Sequence, residues 1–309
     1  MKVKKPVSAE AHQWFTPSLP GRTRMAKISV MGSSVGYWVY EPVEAPADAP
    51  TVLAVHGFRG DHHGLLRIAD HLPGMRLVMP DLPGFGRSAA FESEPHTVDS
   101  YVEFLHGFMA ATGLGADTVL LGHSFGSIIA SHFVAADPDA VLKLILINPI
   151  AAPALEGPKG LLTRLAVIYY QVSARLPERL GLAVLRSPLI VRLMSITMAK
   201  TRDPQLRRFI HGQHHSYFSA FANRDALQES FRASVGSNVR EVATRLALPV
   251  LLVAGEKDEI AVLKDQHLLL SELPHGTLCV IPDVGHLIHY ETPEPAAAAI
   301  RTFLEEPPA

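Results

Sequence analysis

The chain of 309 residues is 48% apolar and 19% charged, with a formal net charge of −2, the balance of a globular protein built as one large domain or a domain with an insertion. So small a charge gives no bulk attraction to nucleic acid, and none is expected as a partner. The single cysteine, Cys279, excludes an internal disulfide, and "MKVKKPVSAEAHQWF" has no apolar run behind its basic start. With no stretch near twenty uninterrupted apolar residues, these features predict a cytoplasmic setting without secretory signal or membrane-spanning helix.

In chain order, Arg24–Val30 and Ser34–Tyr40 read as strands that meet at the turn "MGSS". After a Pro/Ala linker, "TVLAVHG" is a short apolar run stopped by glycine, followed by a helix over Leu65–Leu72. "RLVMPDLPG" leads to a helix over Val98–Thr112, and "DTVLLGHS" to one over Ser127–Ala136; "VLKLILINP" is the sixth strand-like run. From Pro149 to about Leu246 there are helical patterns only, in "GLLTRLAVIYYQVSARL", "GLAVLRSPLIVRLMSITMAK" and "PQLRRFIHGQHHSYFSAFA". The alternation then resumes with "PVLLVAGEKD", a helix over Ala261–Leu270, "TLCVIPDVGH" and a helix over Glu294–Leu304, with Thr292 as its N-cap and Pro293 at its first position.

Continuous apolarity, rather than alternation, marks strands buried on both faces, as in a parallel sheet. The expected fold is therefore α/β: a doubly wound, mostly parallel eight-stranded sheet flanked by helices, with an all-α lid after the sixth strand. The boundaries fall at 1–149 for the first part of the core, 150–245 for the lid and 246–309 for the second part. Open α/β sheets bind ligands beyond the carboxyl ends of their strands, so the insertion is expected to cover the site.

"GHSFG" places Ser124 between Gly122 and Gly126 where a strand gives way to a helix. A turn this sharp needs room on both sides, which the glycines leave, and it lifts the hydroxyl above the sheet at a helix N-terminus. A serine hydroxyl alone is a weak nucleophile and requires a base and an orienting acid. Asp258 follows one later strand in "GEKD", and His286 follows the last in "DVGH". Glu256, Glu259 and Asp283 rival Asp258 as the acid, and His289 rivals His286 as the base but lacks a preceding glycine. His56 and His123 are expected to brace loops.

"HGFRG", "PDLPGFGRS", "GHSFG", "GEKD" and "GHLIHYETPE" together resemble the α/β-hydrolase superfamily, in its serine-nucleophile, lid-bearing branch. The resemblance runs from about Arg24 to Leu304 and weakens between the sixth and seventh strands. It implies a Ser124–Asp258–His286 triad, with the backbone N–H groups of Phe58 and Phe125 as oxyanion donors. Serine at the nucleophile position argues against epoxide hydrolases and haloalkane dehalogenases, which carry aspartate there. The implied activity is hydrolysis of a small-molecule ester or thioester with an apolar acyl part, without cofactor. Carbon–carbon bond hydrolysis and acyl transfer by the same triad are the alternatives, as is a ligand-binding receptor with little turnover.

"GFGRSA" matches a dinucleotide-binding pattern but follows the fourth strand and leads into no helix, so no nucleotide is expected. The histidine groups His62–His63 and His211–His215 show no carboxylates at ligand spacing and read as solvated faces, with no metal expected. Between Lys159 and Arg245 there are fourteen Lys/Arg and five Asp/Glu, a net of +9. Set among apolar residues, that excess reads in two ways: arginines that solvate the outer faces of the lid helices, or a lid that meets something anionic and apolar, an acyl substrate with a negative head or an anionic lipid surface reached through arginines such as Arg175, Arg179 and Arg186.

Overall fold

A computed structural model describes residues 13–43, 50–153 and 160–305. Strands β1 (Thr23–Val30) and β2 (Ser33–Tyr40) form an antiparallel hairpin closed by Met31 and Gly32. Both turn residues have positive φ, 50° and 74°, as a two-residue turn between right-twisted strands requires. β3 (Thr51–Val55), β4 (Arg76–Pro80), β5 (Val119–His123), β6 (Lys143–Ile147), β7 (Val250–Gly255) and β8 (Gly276–Ile281) complete one sheet. Its order is β1-β2-β4-β3-β5-β6-β7-β8, parallel from β4 to β8.

The central strands explain why their sequences are apolar throughout. On β5, Val119 and Leu121 point into one core and Leu120 into the other; Ile145 and Ile147 oppose Leu144 and Leu146 on β6, and Leu251 and Val253 oppose Val250 and Leu252 on β7. Alternate side chains face opposite sides of a sheet, and here both sides are dry. Helices α1 (Leu66–Asp70), α2 (Val98–Thr112) and α3 (Phe125–Ala136) belong to the first half of the chain.

Between β6 and β7 come α4 (Gly160–Arg175), α5 (Glu178–Leu185), α6 (Pro188–Met198), α7 (Pro204–Tyr217) and α8 (Arg224–Gly236). The run from Gly181 to Lys200, read as one helix, is broken at Arg186–Ser187, because Pro188 has no N–H to continue a helix and instead starts α6. An isolated bridge joins Phe85 to Phe221 across to the core. After β7 come α9 (Leu263–Glu272), α10 (Ile288–Glu291) and α11 (Pro293–Glu305).

α9 starts two residues later than its pattern suggests. The N–H groups of Ile260 and Ala261 are drawn instead to Asp258 Oδ1, at 2.8 and 3.0 Å. Thr292 does precede α11, and its carbonyl accepts from Ala296 N–H. Its hydroxyl, however, has no partner among the described residues and so does not cap the helix.

Candidate active site

Ser124 sits between β5 and α3 with φ 52° and ψ −117°, backbone that a residue with a side chain adopts only when its surroundings impose it. Here they do. A Cβ on Gly122 would lie 2.3 Å from the Gly126 carbonyl oxygen, and one on Gly126 would lie 2.3 Å from that of Val55. Bare glycines alone allow β3, β5 and α3 this close, and the turn they permit holds Ser124 at the carboxyl end of the sheet.

His286 Nε2 lies 2.8 Å from Ser124 Oγ, and His286 Nδ1 lies 2.8 Å from Asp258 Oδ2. An ionised carboxylate only accepts, so Nδ1 carries the ring proton and Nε2 accepts from the serine hydroxyl. The loops bearing the acid and the imidazole touch because Gly255 has no side chain: its Cβ would lie 2.5 Å from the Gly285 carbonyl oxygen. Asp258 is 4% exposed. Burial alone would raise its carboxyl pKa; the His286 imidazole and the N–H groups of Ala261 and Ile260 outweigh that and hold it below the usual value.

The rivals are engaged elsewhere. Glu256 accepts from Asp283 N–H, Glu259 pairs with Lys200 and Asp283 with Lys257. His289 is buried with its ring 4.0 Å from that of His123, and it makes no hydrogen bond to Ser124. His56 braces its loop: Nδ1–H donates to the Gly57 carbonyl and Nε2 accepts from Leu82 N–H. His123 braces through a hydrogen bond to the backbone of His286, while its Nε2 has no partner among the described residues.

The "HGFRG" loop lies against the serine. A Cβ on Gly57 would come within 3.2 Å of Ser124 Cβ, which brings the following residue, Phe58, to the same place. Phe125 is the first residue of α3, where an N–H has no partner within the helix. Above the serine is a cavity of about 380 Å³. Ser124 and His286 lie at one side of it; Ile150, Ala166, Met194, Met198, Phe231 and Val235 supply apolar walls, five of them from α4, α6 and α8.

Two residues that sequence reasoning did not single out are built into the site. Asn148, at the end of β6 with φ 46°, donates from Nδ2 to Asp258 Oδ2 at 2.9 Å and to the Gly285 carbonyl at 3.3 Å. Arg59, next to Phe58, is 2% exposed. It donates to the Phe218 carbonyl at 3.0 Å, the Tyr170 hydroxyl at 3.2 Å and the Leu185 carbonyl at 2.7 Å.

The histidine groups correct the expectation of solvated faces. His62 is buried, stacked on Trp38 and bonded through Nδ1 to Asp81 at 2.8 Å. Asp81 also accepts from Arg87 N–H, and a Cβ on Gly86 would overlap its carboxylate, which explains the glycine-rich "GFGRS" turn. Asp61, His62 and His63 bring ligand atoms within 4.8 Å of one another, so carboxylates do stand at ligand spacing there. Within this group Asp61 Oδ1 accepts from His63 N–H and lies 3.0 Å from His63 Nδ1, and His62 Nδ1 is bonded to Asp81. His211 and His214 are buried on either side of the Ser195 hydroxyl, at 2.5 and 2.7 Å.

A strained serine on a strand-to-helix turn, with an imidazole and a carboxylate on loops after later strands, defines a hydrolase-type architecture. The alpha/beta hydrolase fold family model matches residues 50–293, and the chain belongs to that family. It is 26% identical over 263 residues to lipase 3 of Moraxella sp. (strain TA144), a match spanning 82% of this chain and 76% of that one. Over 36% of this chain and 41% of its relative, it is 40% identical to lipase LipV of Mycobacterium tuberculosis. An esterase from Exiguobacterium antarcticum shares the fold, with a TM-score of 0.74 at 16% identity over 92% of this chain and all of that one.

Proposed function

We propose that the protein is a serine hydrolase that cleaves a carboxylic ester or thioester with an apolar acyl part. The observation that carries this reading is the 2.8 Å contact from Ser124 Oγ to His286 Nε2 beside an apolar cavity. Relatives named as lipases and an esterase of the same fold support it.

In this reading His286 Nε2 takes the hydroxyl proton as Ser124 Oγ attacks the carbonyl carbon. Asp258 holds the imidazole in its Nδ1–H tautomer and stabilises the imidazolium that forms. The N–H groups of Phe58 and Phe125 receive the developing oxyanion. The tetrahedral intermediate collapses as His286 returns the proton to the leaving alcohol or thiol, giving an acyl-enzyme. Water, deprotonated by His286, then attacks the acyl carbon, and free acid leaves with Ser124 restored. The helices between β6 and β7 act as a lid, which excludes bulk water and accommodates the acyl chain.

A fluorophosphonate probe tests the assignment, together with turnover of p-nitrophenyl esters of graded chain length. The probe should modify Ser124, and Ser124→Ala should lose both labelling and turnover, the latter by roughly 10⁴-fold or more. Labelling that persists on another peptide would overturn the nucleophile. No turnover of any ester by a probe-reactive protein would point to acyl transfer, carbon–carbon cleavage or simple ligand binding.

A further inference from the structure

The helices over the cavity carry apolar side chains that face outward. On α4, Leu165, Ile168 and Val172 recur at helical spacing, and on α6 Leu189, Leu193 and Ile196 do the same; all six are between 44% and 78% exposed. With Leu180 on α5 they make up half of the fourteen large apolar residues exposed among the described residues, within 32 positions of sequence. Such a concentration is rare on a surface that meets only water.

The same helices are basic. Residues 160–200 contain six Lys/Arg and one acidic residue, Glu178. Arg186 is held by the Phe221 carbonyl and ring, and Lys200 by Glu259, which removes Arg186 from the docking set expected from sequence. Arg164, Arg175, Arg179 and Arg192 are exposed, with Arg164, Arg175 and Arg192 alternating with the apolar stripes of α4 and α6.

Composition alone would let Glu178–Met198 cross a membrane, since an 18-residue window of this 21-residue run has a mean hydropathy of 1.5. Folded as helices of eight and eleven residues, it does not have the reach. At 1.5 Å per residue α6 is about 16 Å long, against about 30 Å for a bilayer's hydrocarbon core. A short helix with an apolar stripe edged by arginine is suited to lying in a headgroup layer. On α6, Met194 and Met198 line the cavity beside Ser124, while Leu193 and Ile196 face out. One helix thus divides the outer apolar face from the catalytic cavity.

We infer that the outer face of α4 and α6 docks reversibly on an anionic phospholipid bilayer. Leu189, Leu193 and Ile196 enter the acyl boundary, and Arg164, Arg175 and Arg192 meet the phosphates. A second copy of the chain is the poorer occupant, because a twofold contact through this face would set its arginines against one another.

The test is flotation of the full chain with vesicles of phosphatidylcholine alone and of phosphatidylcholine mixed with phosphatidylglycerol, at low and high salt. Binding should favour the anionic vesicles by at least roughly tenfold and weaken with salt. Arg164→Gln, Arg175→Gln and Arg192→Gln combined should weaken it by roughly a hundredfold. Leu189→Ser, Leu193→Ser and Ile196→Ser combined should abolish it, while both variants keep the wild-type circular dichroism spectrum. Negligible binding to both vesicle types would overturn the inference, as would binding that survives both sets of substitutions. A concentration-dependent dimer, lost in the serine variant and accompanied by no flotation, would assign the face to self-association and overturn it equally. The readout is binding alone, so it is independent of whether the ester reading stands.

Discussion

Asn148 Nδ2 donates to Asp258 Oδ2 across 2.9 Å, the same carboxylate oxygen that accepts from His286. The asparagine also reaches the Gly285 carbonyl, so one side chain fixes both the proposed acid and the loop that bears the proposed base. A hydrogen bond to a charged group contributes about 1.5–3 kcal/mol. Asn148→Ala should therefore lower kcat by roughly ten- to a hundredfold with little change in KM, while Asp258→Asn should cost about 10³–10⁴. Steady-state kinetics separates the two parameters, and a rise in KM with kcat intact would count against a positioning role for Asn148.

Gly126 has no space for a methyl group. The added Cβ in Gly126→Ala would meet two backbone carbonyls, that of Val55 at the end of β3 and that of His56 just beyond it, at 2.3 and 2.8 Å. Neither can yield without parting β3 from α3. The expected outcome is a loss of soluble protein or a fall in stability of about 3 kcal/mol or more, beyond ordinary overpacking. Urea unfolding measures it, with Gly212→Ala, where no atom lies within 4 Å, as the tolerated control.

Arg59 is a buried cation without a carboxylate partner among the described residues, satisfied by two carbonyls, a tyrosine hydroxyl and the ring of Phe221. Arg59→Met strands those acceptors, at about 1–3 kcal/mol for each one left dry, and should lower Tm by roughly 10 °C or more. Arg59→Lys should recover only part, since an ammonium cannot span acceptors on α4, α5 and the end of α7. Limited proteolysis should show the cuts in Arg59→Met falling first between α4 and α8. Cuts that begin in the sheet would refute this account.

Buried histidines set the acid limit of the fold. Burial is the leading cause that lowers His123 and His214 to about 3, His96 to about 4 and His289 well below the ordinary value. In the unfolded chain each titrates near 6.5, so below that pH the unfolded state binds more protons. Their stabilising contribution is full above about pH 6.5 and is lost as pH falls toward 3, with a limiting slope of about 1.4 kcal/mol per pH unit for each. Urea midpoints should fall steeply between pH 6.5 and 4.5, and His214→Gln should show a shallower dependence. An unchanged slope in that variant would mean that His214 is not neutral in the folded protein.

The sheet was legible in the sequence because its central strands are dry on both sides, which leaves unbroken runs such as "TVLLG" and "KLILI". Ser124, His286 and Asp258 announced themselves through glycines and strand ends, and they are the residues that hydrogen-bond to one another here. Asn148 and Arg59 carry no such mark, since their partners lie 110 and 126 residues away and nothing local encodes those distances. Helix α8 went unread because its inner face includes Ala226, Gln228 and Ser230, which give a weak apolar rhythm. His211 and His214 looked solvated for the same reason, because the hydroxyl they share comes from Ser195 on α6.

That shared hydroxyl has a mechanical meaning. Ser195 is wedged between two rings three residues apart on α7, and a serine oxygen with one proton can donate to only one of them while accepting from the other. The two imidazoles must therefore hold opposite tautomers. His214 is fully enclosed, whereas His211 retains some contact with solvent, so the cheaper arrangement runs from His214 Nδ1–H to Ser195 and from Ser195 to His211, whose Nε2–H can reach water. The staple holds only in this register. A slide of α6 along α7 by one turn breaks both bonds at once and strands two ring nitrogens. The two helices are thereby held in one register, while α4, α5 and α8 pack on one another as a second group. Arg59 bonds to both groups, at the end of α7 and on α4 and α5, and so ties them to the loop that carries the neighbouring Phe58.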